Sequence, residues 1–261
     1  MPALNEEGNI ARAIRVTLEA FSEYRLKGEI IVVNDGSTDA TAKIVDTLAG
    51  RETTHRIRLV HHKTPQGLGM AFRDGMLEAR GDVVAFMPGD GENDPGEIMR
   101  YFGMLEQVDM VVPFVYNKEV RPKSRNMIST LFRMIVNITF GVNFNYTNGT
   151  VLYRREILAD APNRSNGFFF QTENVVRAVW SGYLFAEVPY RLAVRHGGES
   201  KAISMKSLAE VIRNYLYLVK EIYFSPEKKS SRKPAFGTIS ELRHRQTEQI
   251  GLGVPGKYSR E

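Results

Sequence analysis

Three acids crowd the run PGDGENDP: Asp90, Glu92 and Asp94. Asp90 and Glu92 stand at alternate positions of a Gly-rich turn, where their oxygens can hold a hard cation such as Mg2+ or Mn2+, and through it a diphosphate. The same letters also describe a solvated acidic turn ahead of a helix begun at Pro95. A second group is cationic: Lys118, Arg121, Lys123 and Arg125, followed by Ser129. Arg125 and Ser129 are four apart, so a helix puts them on one face, where guanidinium, hydroxyl and free backbone amides can all donate to a phosphate. The plain alternative is a loop of solvated surface cations.

Short strands and helices must position these groups. The acids follow an apolar run at 83–87 that reads as a buried strand, so they fall past its carboxyl end, where open α/β sheets bind ligands. Before it, Asn5 is placed to cap a helix from about residue 6, with Ile10, Ala13, Ile14 and Leu18 at helical spacing. A strand at 30–33 leads into the turn Asn34, Asp35, Gly36, Ser37, and Ser37 or Thr38 can cap the next helix. A third strand spans 56–61, and Gly67 and Gly69 then lead into a helix with room for a phosphate or another chain segment to approach. Further on the pattern predicts strands at 109–114, 150–153 and 185–189, and helices at 129–140, 155–158 and 168–180. The alternation implies a mostly parallel, three-layer α/β sheet.

Composition narrows the function classes. The 261 residues contain no cysteine, which excludes disulfides, thiolate metal sites and thiol nucleophiles. A net charge of +5 suits anionic substrates or an anionic membrane surface. Nucleic acid is not expected, because the cations form no long run and neither Trp180 nor the tyrosines interleave with them. No apolar run approaches the ~20 residues of a membrane span, and the amino terminus shows no signal pattern. A cytoplasmic protein is expected, soluble or peripheral on the membrane face.

Taken together, NEEGNI, VVNDGSTD, the QG...A...G stretch before RGDVV, the acidic strand end followed by DP, and EVPYRLAVRHGGESK resemble the family 2 inverting glycosyltransferases with the nucleotide-diphospho-sugar transferase fold. The branch most similar is that of the polyprenyl- or dolichyl-phosphate sugar transferases, and the resemblance covers roughly residues 2–203. It implies transfer of a sugar, mannose or glucose, from a GDP- or UDP-sugar to a lipid monophosphate, with Mg2+ or Mn2+. It sets Pro2, Asn5, Glu6, Asp35, Gly36 and Gly89 around the donor nucleotide, Asp35 on the acid that contacts the base, and Asp90 on the second acid of the family's metal-binding Asp-x-Asp. Pro88 replaces the first, so Glu92 would complete the metal site with Asp90. Arg125, Ser129 and Arg195 match groups that hold phosphate, with Arg121 a looser candidate and Ser200-Lys201 completing the Arg195 pattern.

Two alternatives accompany this reading. A soluble transferase with a sugar or other hydroxyl acceptor would need a general base, for which Glu173 is the candidate and His196 a second. A noncatalytic nucleotide-sugar binding module would follow if the metal site had decayed at Pro88. The resemblance also departs at Asn145 to Gly149, where the branch has an aspartate, and it puts the start of the sequence near the end of the family's first strand. Either residues precede Met1 or another element fills that place.

Residues 1–203 are therefore expected to form the catalytic domain. At 204–224, Leu208, Val211, Ile212, Tyr215, Leu218, Val219 and Ile222 define an amphipathic helix. It would pack on the core, on a second subunit or on the bilayer beside a polyprenyl acceptor. Residues 225–261 read as a basic linker and a short polar extension.

Overall fold

The computed structural model describes residues 1–160, 163–192, 205–224 and 234–249. In chain order the elements are β1 (Pro2–Ala3), α1 (Ile10–Glu23), β2 (Glu29–Asp35), α2 (Thr41–Ala49), β3 (Arg56–His62), α3 (Leu68–Glu78), β4 (Val83–Ala85) and α4 (Gly96–Met99). They continue with β5 (Met110–Val115), α5 (Lys123–Phe140), β6 (Leu152–Arg154), α6 (Arg155–Asp160), α7 (Phe170–Trp180), β7 (Phe185–Tyr190), α8 (Met205–Phe224) and α9 (Ile239–Gln249).

The strands pair as β1-β2-β3, all parallel, and as β4-β6-β5-β7, where β6 runs antiparallel to both neighbours and β5 is parallel to β7. The Gly89 amide donates to the Pro2 carbonyl at 2.9 Å, which ties the exit of β4 to β1. A Cβ at Gly89 would come within 2.9 Å of the Ile10 side chain and 3.1 Å of Ala3 and the Pro2 carbonyl, so a glycine suits this close approach. The expected α/β sheet is present, with one antiparallel member that the strand and helix alternation does not reveal.

Local departures from expectation have identifiable causes. α1 buries Ile10, Ala13, Ile14, Ala20 and Phe21 but begins at Ile10, and Asn5 does not cap it. Asn5 takes φ +55° and its side chain accepts from the Thr38 amide at 2.9 Å, while its own amide donates to Ser37 Oγ. The start of α2 is served by Asp39, which accepts from the Thr41 amide at 3.0 Å and hydroxyl at 2.6 Å, rather than by Ser37 or Thr38. The strand expected at 83–87 keeps ladder pairing only over β4, since β6 offers just three partners, and Phe86 and Met87 continue as buried apolar residues.

The amphipathic helix α8 splits its apolar residues between two environments. Leu218, Val211, Tyr215, Val219 and Ile222 pack on Val136 and Phe140 of α5 and on Phe169 and Val176 at α7. Leu208, Ile212 and Leu216 stay exposed, because the apolar stripe is wider than the contact. Arg177 pins this packing, reaching Glu221 of α8 at 2.6 and 2.8 Å and Glu173 of its own helix at 2.7 Å. Burial alone would lower the Arg177 pKa, but hydrogen bonds and charge from Glu221 and Glu173 outweigh it and leave the guanidinium raised. At the opposite end of the sheet, buried Asp109 ahead of β5 accepts the Ile239 and Ser240 amides and so caps α9.

Candidate functional site

The carboxyl ends of β1 and β2 bring Pro2, Asn5, Glu6, Asp35 and Gly36 into one neighbourhood. The Glu6 amide donates to Thr41 Oγ1 at 2.9 Å, so the segment after β1 is laced to the segment after β2. Gly36, at φ +77°, lies under the backbone of Thr64 and Pro65. Asp35 is buried and accepts the amides of Gln66 at 2.7 Å and Gly67 at 2.9 Å, and its Oδ1 lies 2.7 Å from His62 Nδ1. Its carboxylate therefore shapes the turn into α3. That turn is held from outside as well: the Gly69 amide donates to the Asn166 carbonyl at 2.6 Å, and Asn163 Nδ2 donates to the Gly69 carbonyl at 3.2 Å.

Gly89 carries the acidic turn to the same end of the sheet. Asp90 Oδ1 accepts the Glu92 amide at 3.0 Å, which fixes the turn and sets two half-buried carboxylates close in sequence. Among the described residues no group of three histidines or acids is arranged to hold a metal ion. The donor set is thus two hard oxygen ligands at most, which fits Mg2+ or Mn2+ whose other positions are filled by water and diphosphate oxygens. Asn93 continues the turn and accepts from the Tyr190 hydroxyl at 3.1 Å. Burial pushes the Tyr190 pKa upward, so that hydroxyl remains a donor.

A cleft runs from Asn93 past Asn148, Thr150 and Tyr190 to Arg121 and Tyr146. A second cleft shares Arg121, Tyr146 and Val115 with it and continues to Lys118, Ser129 and Arg133. Arg121 sits 5.5 Å above the Tyr146 ring with a long contact to its hydroxyl, and its buried Nε has no protein partner. Sequence reasoning paired Ser129 with Arg125, one turn earlier. The structure lines the cleft with Ser129 and with Arg133 one turn later, and Arg125 is not among the lining residues. Arg133 was missed because it stands in the apolar run STLFRMIV; the signal available was its four-residue spacing from Ser129.

Glu173 has another part than proton transfer. It is 2% exposed, accepts the amides of Arg164 at 3.0 Å and Ser165 at 2.9 Å, and pairs with Arg177. A carboxylate so engaged has little capacity to take a proton from an acceptor hydroxyl. Arg195, His196, Ser200 and Lys201 lie outside the described residues.

Comparison with known proteins agrees with this geometry. The family model for glycosyl transferase family 2 matches residues 1–161. An undecaprenyl-phosphate mannosyltransferase of Micrococcus luteus is 30% identical over 213 residues, covering 77% of this chain and 85% of the relative. A dodecaprenyl-phosphate galacturonate synthase of Rhizobium johnstonii is 26% identical over 227 residues, covering 86% and 65% respectively. Among solved structures, glucosyl-3-phosphoglycerate synthase from Mycobacterium tuberculosis, in complex with Mn2+, UDP and phosphoglyceric acid, aligns with a TM-score of 0.63 at 19% identity. That alignment covers 86% of this chain and 77% of the other, and it speaks for the fold.

Proposed function

The chain belongs to glycosyl transferase family 2 and is a glycosyltransferase; from that premise we propose that it moves a sugar from a GDP- or UDP-sugar to a polyprenyl monophosphate. The observation that carries the reading is the pair of clefts joined at Arg121, one reaching the acidic turn and the other reaching Ser129 and Arg133. A donor diphosphate and an acceptor phosphate are both anionic, and cations between them allow both to be held within reacting distance.

In this mechanism the acceptor phosphate oxygen attacks the anomeric carbon, the bond from that carbon to the diphosphate breaks with inversion, and the nucleoside diphosphate leaves with the electron pair. A phosphate dianion needs no base, which agrees with the engagement of Glu173. Arg121, Ser129 and Arg133 would orient the acceptor, with Arg125 and Arg195 adding positive charge. Pro2, Asn5, Glu6, Asp35, Gly36 and Gly89 would border the nucleotide. Asp90 and Glu92 would hold Mg2+ or Mn2+, whose charge offsets that developing on the leaving diphosphate.

A lipid acceptor also suits α5, which leaves Met127, Ile128, Leu131, Met134, Ile135 and Ile138 exposed on the helix that carries Ser129 and Arg133. No helix among the described residues is long and apolar enough to cross a membrane. Peripheral binding through α5 and the exposed stripe of α8, on the cytoplasmic membrane face, would bring the acceptor to the cleft. The test is transfer from radiolabelled GDP- and UDP-sugars to a short polyprenyl monophosphate and to the matching polyprenol. Labelled lipid is expected from the monophosphate alone. Equal rates with the free alcohol would overturn the phosphate nucleophile.

A further inference from the structure

His62 closes a clamp that no spacing in the chain foretells. It ends β3 in register with Asp35 at the end of β2, and its ring is buried, 6% exposed. Nδ1 lies 2.7 Å from Asp35 Oδ1 and Nε2 lies 2.9 Å from Asp74 Oδ2 on α3. Asp74 itself keeps a side-chain exposure of 32%. The clamp thus joins three successive elements, β2, β3 and α3, around the turn whose Gln66 and Gly67 amides also bind Asp35.

The chemistry of the ring sets what the clamp does. An ionised carboxylate only accepts, and an imidazole can donate from both nitrogens only when it carries both protons. Among the described residues, β2 supplies Asp35 and α3 supplies Asp74, while no ion pair or hydrogen bond joins α2 to the ring. The neighbouring His61 faces Asn34 instead, at 2.9 Å. Asp35 thus receives Nδ1 and two backbone amides, three donors on a carboxylate that offers about four acceptor positions. Such a group remains an acceptor of fixed orientation with one position to spare.

We propose that His62, with Asp74 behind it, is a positioning residue for the donor nucleotide. It holds Asp35 as a rigid, ionised acceptor and so sets the affinity for bases that present a ring N–H, as uracil and guanine do, over cytosine and adenine, which present a lone pair there. The inference rests on the donor reading above, in which Asp35 borders the base. A neutral ring leaves one nitrogen lone pair against a carboxylate, so one side of the clamp opens.

The experiment is calorimetric titration of UDP, GDP, CDP and ADP, each with Mn2+, into the wild-type chain and into His62→Phe, His62→Gln and Asp74→Asn. His62→Phe is expected to weaken the better of UDP and GDP about tenfold and to narrow its preference over CDP and ADP. His62→Gln, which keeps one donor, should recover part of both, and kcat at saturating donor should change much less than KM. Asp74→Asn replaces the carboxylate behind the ring with an amide, and should weaken the better of UDP and GDP by a smaller factor than His62→Phe does. Wild-type affinity and preference in folded His62→Phe would overturn the proposal, as would wild-type affinity and preference in both His62→Gln and Asp74→Asn if His62→Phe fails to fold. Wild-type protein that binds none of the four nucleotides would instead overturn the donor reading itself.

Discussion

Asp90 and Arg133 make different demands on the reaction, and single substitutions should separate them. Asp90 Oδ1 accepts the Glu92 amide, and under the proposed mechanism Oδ2 would serve the metal, so Asp90→Ala should cut kcat/KM about 100-fold or more while the thermal midpoint barely moves. Retained activity of Asp90→Ala in excess chelator would remove the metal from the scheme. Arg133→Ala should lower kcat/KM for the acceptor phosphate roughly 10- to 100-fold and leave donor binding intact, with Arg125→Ala milder. Steady-state kinetics with each substrate varied in turn would decide, and a larger loss in Arg125→Ala would restore the pairing that sequence favoured. The acidic turn was legible because small turn residues and alternate acids declare themselves in sequence. Arg133 was not, because a helix face is known only when its neighbours are, and the apolar residues flanking Arg133 suggested burial. Glu173 was legible as an interior acid, yet the Arg164 and Ser165 amides that it accepts, and the Glu221 that shares Arg177 with it, are brought there by loops and helices that no spacing rule connects.

At the level of elements, α7 and α8 meet through a buried ionic knot rather than through apolar packing alone. Arg177→Met would remove the guanidinium that Glu173 and Glu221, both under 10% exposed, share, and should cost about 3–5 kcal/mol, because two buried carboxylates lose a common counter-charge. Urea unfolding monitored by circular dichroism measures this; a loss below about 1 kcal/mol would show that water reaches the knot. Glu173→Gln should lower stability and leave the rate per folded molecule of phosphate transfer largely unchanged, the opposite of what a general base requires. The parallel strands β2 and β3 were readable within a residue or two, since short β-branched runs between glycine turns have few other uses. The antiparallel setting of β6 was not, because a three-residue strand carries no direction in its pattern. The capping of α9 by Asp109 was equally hidden: the two are far apart in the chain, and only the finished sheet brings them together.

For the molecule as a whole, the exposed apolar positions of α5 and α8 are flanked by the exposed cations Lys123, Arg213 and Lys220. Binding to vesicles containing anionic lipid should therefore exceed binding to neutral vesicles and weaken with salt, as sedimentation at low and high ionic strength would show. Leu131→Asp with Ile138→Asp should abolish it with the fold kept, because both side chains already face solvent. Binding that persists in this double variant would assign the face to something other than lipid. Because Ser129 and Arg133 ride on the same helix as that face, the proposed lipid acceptor would reach them by lateral diffusion within a leaflet rather than through bulk water. Its effective concentration is then a surface density. Diluting the polyprenyl phosphate with inert lipid should slow turnover even when its amount per volume of solution is held constant, whereas adding more vesicles of the same composition should leave the rate of the bound enzyme unchanged.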